Sequence, residues 1–226
     1  MNLVASSALG GLLVAASLLV VMPSWRVRLA ALAVQYVCVA ALLTQIAIWQ
    51  VVVTRLIVGA GIVGILVLTG RELTGAFPWR RQTAPSGDGA AAASVTTTPL
   101  ATLTRLWKTQ FSADFPFRAV AVAMAIVAAA SLAGQPNVLL PGLSPGLKMA
   151  GYLLCGLGLF SLGLSEEPLR AGLSLLTLLS GFELLYVAVE TSLAIVALLA
   201  VVDFAVALAV SYLALVNMSR RKEPAA

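Results

Sequence analysis

The chain has 226 residues, of which 61% are hydrophobic and only 10% are charged, and its formal net charge is +5. A soluble domain is about half apolar and roughly a quarter charged, so this composition excludes an ordinary soluble enzyme, a disordered chain and a nucleic-acid-binding protein. The long apolar runs instead predict an all-α, polytopic membrane protein that contacts the lipid bilayer and has no nucleic-acid partner.

Seven runs of about 20 apolar residues, the length needed to cross a bilayer, occur along the chain. They lie near 3–22, 29–48, 51–69, 119–134, 149–164, 171–190 and 193–216. The first run has no basic segment before it and exceeds the ~7–15 residues of a signal sequence, so we expect a membrane span. Trp49–Gln50 and Thr191–Ser192 are the only separators within two pairs of runs. Each pair is predicted to form a tight helical hairpin, because one continuous helix would be about twice as long as the bilayer core is thick.

The basic residues predict the orientation of these seven spans. If the N-terminus is outside, Lys148 lies in an outer loop and Arg55 lies within a span, whereas all other basic residues lie inside. These are Arg26, Arg28, Arg71, Arg80, Arg81, Arg105, Lys108, Arg118, Arg170, Arg220, Arg221 and Lys222. Because cytoplasmic loops carry an excess of Lys and Arg, we expect an N-out, C-in orientation.

Charge and composition also divide the chain into parts. We expect a three-helix part (1–69), a cytoplasmic loop (70–118), a fourth helix with an outer loop (119–148), a second three-helix part (149–218) and a basic tail (219–226). Residues 85–104 are of low complexity and are predicted to be a flexible linker. The basic and aromatic residues of 105–117 favour either a tether to the inner headgroups or a docking site for a cytoplasmic partner.

Four ionisable residues are predicted to lie at membrane depth: Arg55, Glu183, Glu190 and Asp203. Each costs roughly 2.5–3.5 kcal/mol at a helix centre, so such residues are expected to have a function. Glu183 and Asp203 lie about 10 and 16 Å below the outer turn of the last hairpin, at 1.5 Å per residue. Two carboxylates on adjacent helices can share protons and water, which predicts a proton relay. The alternative is a pair of protonated acids that only join two helices by hydrogen bonds.

The other two ionisable residues have less defined roles. Glu190 follows Glu183 by seven residues and is either a proton port at the outer boundary or a solvated helix end. Arg55 either extends to the headgroups or pairs with Glu190 or Glu183, where it would tune their charge without carrying a proton itself. Four hydroxyl residues of the last three spans either line a wet path or bond only to their own helix backbone. These are Ser161, Ser174, Thr177 and Ser180.

No residue set for a cofactor is recognisable, so we expect neither a cofactor nor a metal nor catalytic residues in this chain. There is no histidine, which excludes histidine-ligated haem, zinc and copper. Cys38 and Cys155 are isolated within apolar runs and form no C-x-x-C pair or iron–sulfur set. They are expected to act as small side chains in helix packing.

The stretch 151–217 resembles subunit K of NADH-quinone oxidoreductase and the corresponding three-helix subunit of Mrp-type cation/proton antiporters. It has a glycine-rich first helix, a short inner loop with Arg170, the motif Gly181-Phe182-Glu183 and an acid in an alanine-rich helix, Asp203. The seven-span layout is similar to hydrogenase 4 component E, whose third span has a Thr-Lys pair where this chain has Thr54-Arg55.

This resemblance implies a non-catalytic membrane-arm subunit of a complex I-like or membrane-bound hydrogenase-type redox complex. Glu183 and Asp203 would belong to the chain of acids that translocates protons, in a bacterial or archaeal cytoplasmic membrane. Antiporter-like subunits and a quinone or hydrogenase module would be its partners in a hetero-oligomer. Two alternatives remain: a structural or assembly subunit that conducts no ion, and a stand-alone transporter of small solutes or ions.

Overall fold

The computed structural model describes residues 3–22, 24–45, 49–73, 114–135, 144–187, 189 and 192–222. These ranges contain seven helices and no strand, which confirms the predicted all-α class. The helices are α1 (Leu3–Val21), α2 (Trp25–Leu43), α3 (Trp49–Leu73), α4 (Asp114–Ala133), α5 (Pro145–Gly163), α6 (Pro168–Val187) and α7 (Leu193–Lys222). Helices α2 to α7 each hold a stretch long and apolar enough to cross a membrane, and α1 adds the shorter apolar helix Ser6–Val21.

Both predicted hairpins are confirmed, but their boundaries shift. Helix α2 ends at Leu43 and α3 begins at Trp49, so Trp49 and Gln50 lie in the first turn of α3 instead of separating the two helices. Helix α2 also begins four residues earlier than predicted, at Trp25. The apolar window stopped at the arginines of this first turn, whereas a helix end can carry them because their side chains reach polar surroundings.

Six helices form a closed ring in the order α1, α2, α3, α7, α6, α5 and back to α1. Helices α2 and α6 also contact each other across the ring, while α4 packs outside it against α5 and α1. The predicted linker 85–104 and all but the last residues of the predicted 105–117 segment lie outside the described residues. The two ends of the predicted loop 70–118 that the structure describes belong to helices, since α3 extends to Leu73 and α4 begins at Asp114.

Polar side chains are concentrated inside this ring and apolar side chains outside it. Large apolar residues such as Ile57, Val127, Leu198 and Tyr212 are exposed, each by more than half of its surface. The buried polar and charged residues include Arg28, Gln35, Arg55, Ser161, Ser174, Thr177, Ser180, Glu183 and Asp203. This distribution suits a bundle whose outer surface faces lipid, in which polar groups must find partners within the protein.

One end of the bundle is rich in arginine. The chain alternates in direction, so Arg26, Arg28, Arg71, Arg118 and Arg170 all come to the end where α1 and α3 finish and where α2, α4 and α6 begin. We call this the arginine-rich end, and it corresponds to the side predicted to face the cytoplasm.

Arg28 differs from its sequence interpretation as a residue just outside the second span. It lies within α2, is only 1% exposed, and its Nε donates a hydrogen bond of 2.6 Å to the Met22 carbonyl. Arg118 Nη1 likewise donates to the Val20 carbonyl at 3.2 Å. The last carbonyls of a helix lack partners within the helix and carry its negative dipole end, so they hold both arginines at the end of α1.

Helices α5 and α6 approach each other closely because glycines remove side chains from their interface. A Cβ added at Gly158 would lie 2.6 Å from the Leu178 backbone nitrogen, which cannot move without shifting α6. A Cβ at Gly156, on the same helix, would have no atom within 4 Å. A small residue is therefore needed for close helix packing at Gly158 and not at Gly156.

We predict that Gly158→Ala destabilises the protein by about 1–3 kcal/mol, because it overpacks a backbone contact. Gly156→Ala is the matched control and should leave stability unchanged or slightly increased, since alanine favours a helix over glycine. Thermal unfolding in mild detergent, followed by tryptophan fluorescence, measures both variants. Equal melting temperatures would contradict the close approach of α5 and α6.

Candidate functional site

Three of the four ionisable residues predicted at membrane depth form one buried cluster. Arg55 Nη1 contacts a carboxylate oxygen of Glu183 and donates to Asp203 Oδ2 at 2.7 Å. Arg55 Nη2 donates to Ser180 Oγ at 2.8 Å. Arg55, Glu183 and Asp203 are only 2%, 3% and 2% exposed. We call these three residues the Arg–Glu–Asp cluster; it joins α3, α6 and α7.

An aromatic ring from α2 completes the surroundings of the arginine. The Arg55 guanidinium carbon lies 4.7 Å from the centroid of the Tyr36 ring, a distance at which a cation is attracted by the ring face. The Tyr36 hydroxyl is buried close to Ser180 without a hydrogen bond of good geometry. The guanidinium therefore has two carboxylates and a hydroxyl at its edge and an aromatic face beside it.

Two glycines of α3 bring Arg55 to this position. A Cβ at Gly59 would lie 2.8 Å from Cγ of Tyr36, and a Cβ at Gly61 would lie 2.8 Å from Cζ of Phe204. Phe204 follows Asp203 directly in α7. Without side chains at these two positions, α3 packs tightly against both α2 and α7, one or two turns after Arg55.

Helix α6 carries buried polar residues at regular intervals. Ser174, Thr177, Ser180 and Glu183 follow one another every three residues, so each lies about one turn further along the helix and is rotated by about 60° around its axis. All four are buried, with at most 3% of their surface exposed. This spiral of polar residues begins about 9 Å from the start of α6 and ends about 6 Å from its other end, at 1.5 Å per residue.

The charges of the cluster do not balance when both acids are ionised. One guanidinium with two carboxylates carries a net charge of −1, and one proton bound to the pair makes it neutral. Arginine stays protonated under all ordinary conditions, so the exchangeable proton belongs to the two carboxyl groups. Two acids that share one cation in a buried site can thus take up and release one proton as a unit.

The structure resolves the alternatives for Arg55. The interpretation that it extends to the headgroups is wrong, because its side chain is 1% exposed and binds both acids. Pairing with Glu183 is found, together with a pairing to Asp203 that the sequence did not suggest. Glu190 lies outside the described residues. Thr54, the neighbour in the Thr54-Arg55 pair, donates to the Gln50 carbonyl within its own helix.

Sequence reasoning missed two residues of α2 at this site. Tyr36 and Gln35 lie in the second span, which was treated as a plain apolar helix. Gln35 is fully buried, and its Oε1 lies 3.5 Å from the Thr177 hydroxyl. A glutamine in the middle of an apolar span is itself a signal, since an amide in lipid needs a partner within the protein.

The described residues contain no group of three or more Cys, Asp or Glu side chains placed to hold a metal ion. The two cysteines lie in helix contacts: Cys38 beside Gly11, and Cys155 beside Gly181, with its thiol 3.9 Å from the Leu178 carbonyl. Their environment is that of packing residues.

The fold and the cluster together define a polytopic α-helical membrane protein with a buried, charged centre. Comparison with protein-family models, with curated proteins and with solved structures gave no match. The function therefore has to be inferred from the cluster and its surroundings.

We predict that Arg55→Met destabilises the protein by about 3–5 kcal/mol, because it leaves two acids buried without a cation. Adding Glu183→Gln and Asp203→Asn to Arg55→Met should recover part of this loss, since no ionisable group then remains in the cluster. Arg26→Met, which removes an exposed arginine at the arginine-rich end, should change stability by less than about 0.5 kcal/mol. Thermal unfolding in detergent compares the variants, and equal effects of Arg55→Met and Arg26→Met would contradict the buried ion pairs.

Proposed function

We propose that this protein is a non-catalytic membrane-arm subunit of a complex I-like or membrane-bound hydrogenase-type redox complex and that it takes part in proton translocation. Glu183 and Asp203 are the proton-binding groups. Arg55 sets their charge, and Glu190 is the candidate link to the opposite, outer side. The observation that carries the proposal is the convergence of two buried acids on one buried arginine.

The charge of the cluster supports a relay more strongly than a purely structural bond. One acid would suffice to neutralise Arg55, so the second acid adds the cost of burial without a second cation. A second acid is needed, however, if the site alternates between a neutral, protonated state and a singly negative, deprotonated state. Its depth also supports the proposal, because Glu183 lies about 6 Å and Asp203 about 15 Å from the helix ends at the outer turn, at 1.5 Å per residue.

Membership in a larger complex is supported by the resemblance of 151–217 to subunit K of NADH-quinone oxidoreductase. In this proposal, partner subunits carry out the electron transfer. The expected partners are antiporter-like subunits with a quinone or hydrogenase module, and the expected location is a bacterial or archaeal cytoplasmic membrane.

A structural role is the second candidate, and a specific observation favours it. Arg55 joins α3 to α6 and α7, which are neighbours in the ring, and a buried ion pair can fix how helices pack. Under this alternative the two acids stabilise the bundle, and their protonation has no part in transport.

Proton binding can be tested on the purified chain without its partners. We expect the wild-type pair to take up one proton as the pH is lowered, measured as a deuterium-sensitive carboxyl band in the infrared spectrum. Glu183→Gln or Asp203→Asn should each abolish this band, because the single remaining acid then stays ionised beside Arg55. Glu166→Gln, at an exposed position, is the control and should leave the band unchanged. A band that persists in both single variants would contradict proton sharing by the pair.

Transport and assembly are tested in membrane vesicles from the native host that carry a tagged chain. Glu183→Gln and Asp203→Asn should reduce redox-driven proton translocation to near background while the complex still assembles, and Glu166→Gln should not. Unchanged translocation in a fully assembled complex would leave only the structural role. Migration of the native protein as a lone monomer or homodimer in mild detergent would instead contradict the subunit assignment.

A further inference from the structure

The Arg–Glu–Asp cluster lies closer to the outer turn than to the arginine-rich end. From Glu183 to the start of α6 at Pro168 the distance along the helix is about 22 Å, at 1.5 Å per residue. A proton that crosses the whole bundle must travel this longer half, which lies within the described residues. Proton movement along this half depends on the groups between the cluster and the arginine-rich end.

Polar side chains fill it in consecutive layers. At the arginine-rich end, Ser165 donates to the Ser161 carbonyl at 2.5 Å, and the hydroxyl oxygens of Ser174 and Ser161 lie 2.7 Å apart, within hydrogen-bond distance. One turn further along α6, Thr177 faces Gln35 of α2. The next turn brings Ser180, which accepts the hydrogen bond from Arg55. Each step along α6 rises about 4.5 Å and turns by about 60° around the helix axis, so these residues follow a spiral in which a single water molecule can bridge neighbouring positions.

Hydrogen bonding along the α6 backbone does not account for the whole set. Ser174, Thr177 and Ser180 do donate to carbonyls one turn earlier in α6, at 2.8–2.9 Å. Each hydroxyl has only one proton, so its oxygen can still accept: the Ser174 oxygen lies beside Ser161, the Thr177 oxygen beside Gln35, and the Ser180 oxygen accepts from Arg55. Because their protons are bound within α6, these hydroxyls can be buried at little cost in free energy even without a water molecule beside them.

Gln35 provides an independent sign that a small polar ligand belongs here. Its side chain is fully buried, and its Nε2 has no hydrogen-bond partner among the described residues. Turning the amide over would let Nε2 donate to Thr177 Oγ1, but Oε1 would then lose its neighbour. In either orientation one amide atom of Gln35 needs a further partner, and a buried polar atom without one costs about 1–3 kcal/mol. A water molecule can both donate and accept, so it fits either orientation.

The two ends of this row meet the requirements of a proton path. At one end, Glu167 is 58% exposed in its side chain and lies 3.1 Å from Arg170, whose carbonyl accepts the hydrogen bond of Ser174. At the other end, Ser180 and the unpartnered Nε of Arg55 adjoin the acid pair. Each water molecule between these two ends would accept a proton from one neighbour and donate a different proton to the next. Positive charge then moves along the row, while no serine or threonine hydroxyl gains or loses a proton overall.

We propose that Ser161, Ser174, Thr177, Gln35 and Ser180 line a hydrated proton-access path from the arginine-rich end to the Arg–Glu–Asp cluster. The residues that line this path are called the polar row below. That protons use this path rests on the proposed function, whereas water access along the path can be measured separately. In this proposal, protons reach the cluster from the arginine-rich side through the polar row.

Single cysteines along α6 test this access. Cys38→Ala and Cys155→Ala first remove the native thiols; Ser174→Cys or Thr177→Cys then places one thiol in the polar row. Leu176→Cys is the matched control, because Leu176 is equally buried on the same helix but lies outside the polar row. Sealed vesicles are exposed to Ag⁺ on one side in a chloride-free buffer. After unfolding, maleimide labels the thiols that Ag⁺ did not reach, and mass spectrometry counts them.

Two exposed positions define the sides in the same vesicles. Ser219→Cys marks the arginine-rich end and Gln45→Cys marks the opposite end, since both residues are exposed. We expect Ag⁺ to protect Ser174→Cys and Thr177→Cys when it is added on the side that protects Ser219→Cys. Leu176→Cys should react at least about tenfold more slowly, which corresponds to an access difference of about 1.4 kcal/mol.

The outcomes separate the path from the proposed function. Equal reaction of Ser174→Cys and Leu176→Cys, or protection only from the Gln45→Cys side, would overturn the path even if Glu183 and Asp203 relay protons. One-sided protection together with unchanged translocation in Glu183→Gln would establish the water path and overturn the relay. Should the serine and threonine variants fail to fold, Gln35→Leu provides a second test. It should slow deuterium exchange of the cluster carboxyl band, whereas an unchanged exchange rate would overturn the path.

Discussion

The buried guanidinium of Arg55 is the interaction on which the centre of this bundle depends. A cation inside an apolar bundle is tolerated only when anions and hydrogen-bond acceptors surround it, and here α6 and α7 supply both. Because one guanidinium edge is planar and rigid, the carboxylates of Glu183 and Asp203 are held at the same depth although they lie at different distances from their helix ends. The registers of α3, α6 and α7 are thereby fixed with respect to one another.

The surroundings of this cation explain other features of the fold. Gly59 and Gly61 let α3 pack against Tyr36 and Phe204, which places the arginine at the inner wall of the ring instead of on its lipid face. Helix α2 crosses to α6 at the same level and contributes Tyr36 and Gln35. The polar residues thus lie together inside a ring of six helices, and α4, which has few buried residues, stays outside.

An excess of acid over base makes the cluster suited to hold an exchangeable proton. In a neutral ion pair, proton binding would break the pairing and would cost the interaction that holds the helices. With two acids, one carboxylate can remain paired with Arg55 while the other gains or loses a proton. Stability and proton binding are therefore compatible in the same site, and the proposed path along the polar row would connect it with the arginine-rich end.

Hydropathy alone determined the all-α membrane class, the helices and both hairpins, because a bilayer requires about 20 apolar residues per crossing whatever the helices contact. The exclusion of histidine-based cofactor sites also followed from composition. The sequence also pointed to Arg55, Glu183 and Asp203, since ionisable residues are costly in apolar surroundings. Only the tertiary structure decided that Arg55 binds both acids, that Gln35 and Tyr36 adjoin them and that Arg28 is buried against the end of α1. Hydropathy cannot assign such partners, because it measures the cost of a polar group in lipid, whereas the partner depends on which helix faces meet across the ring.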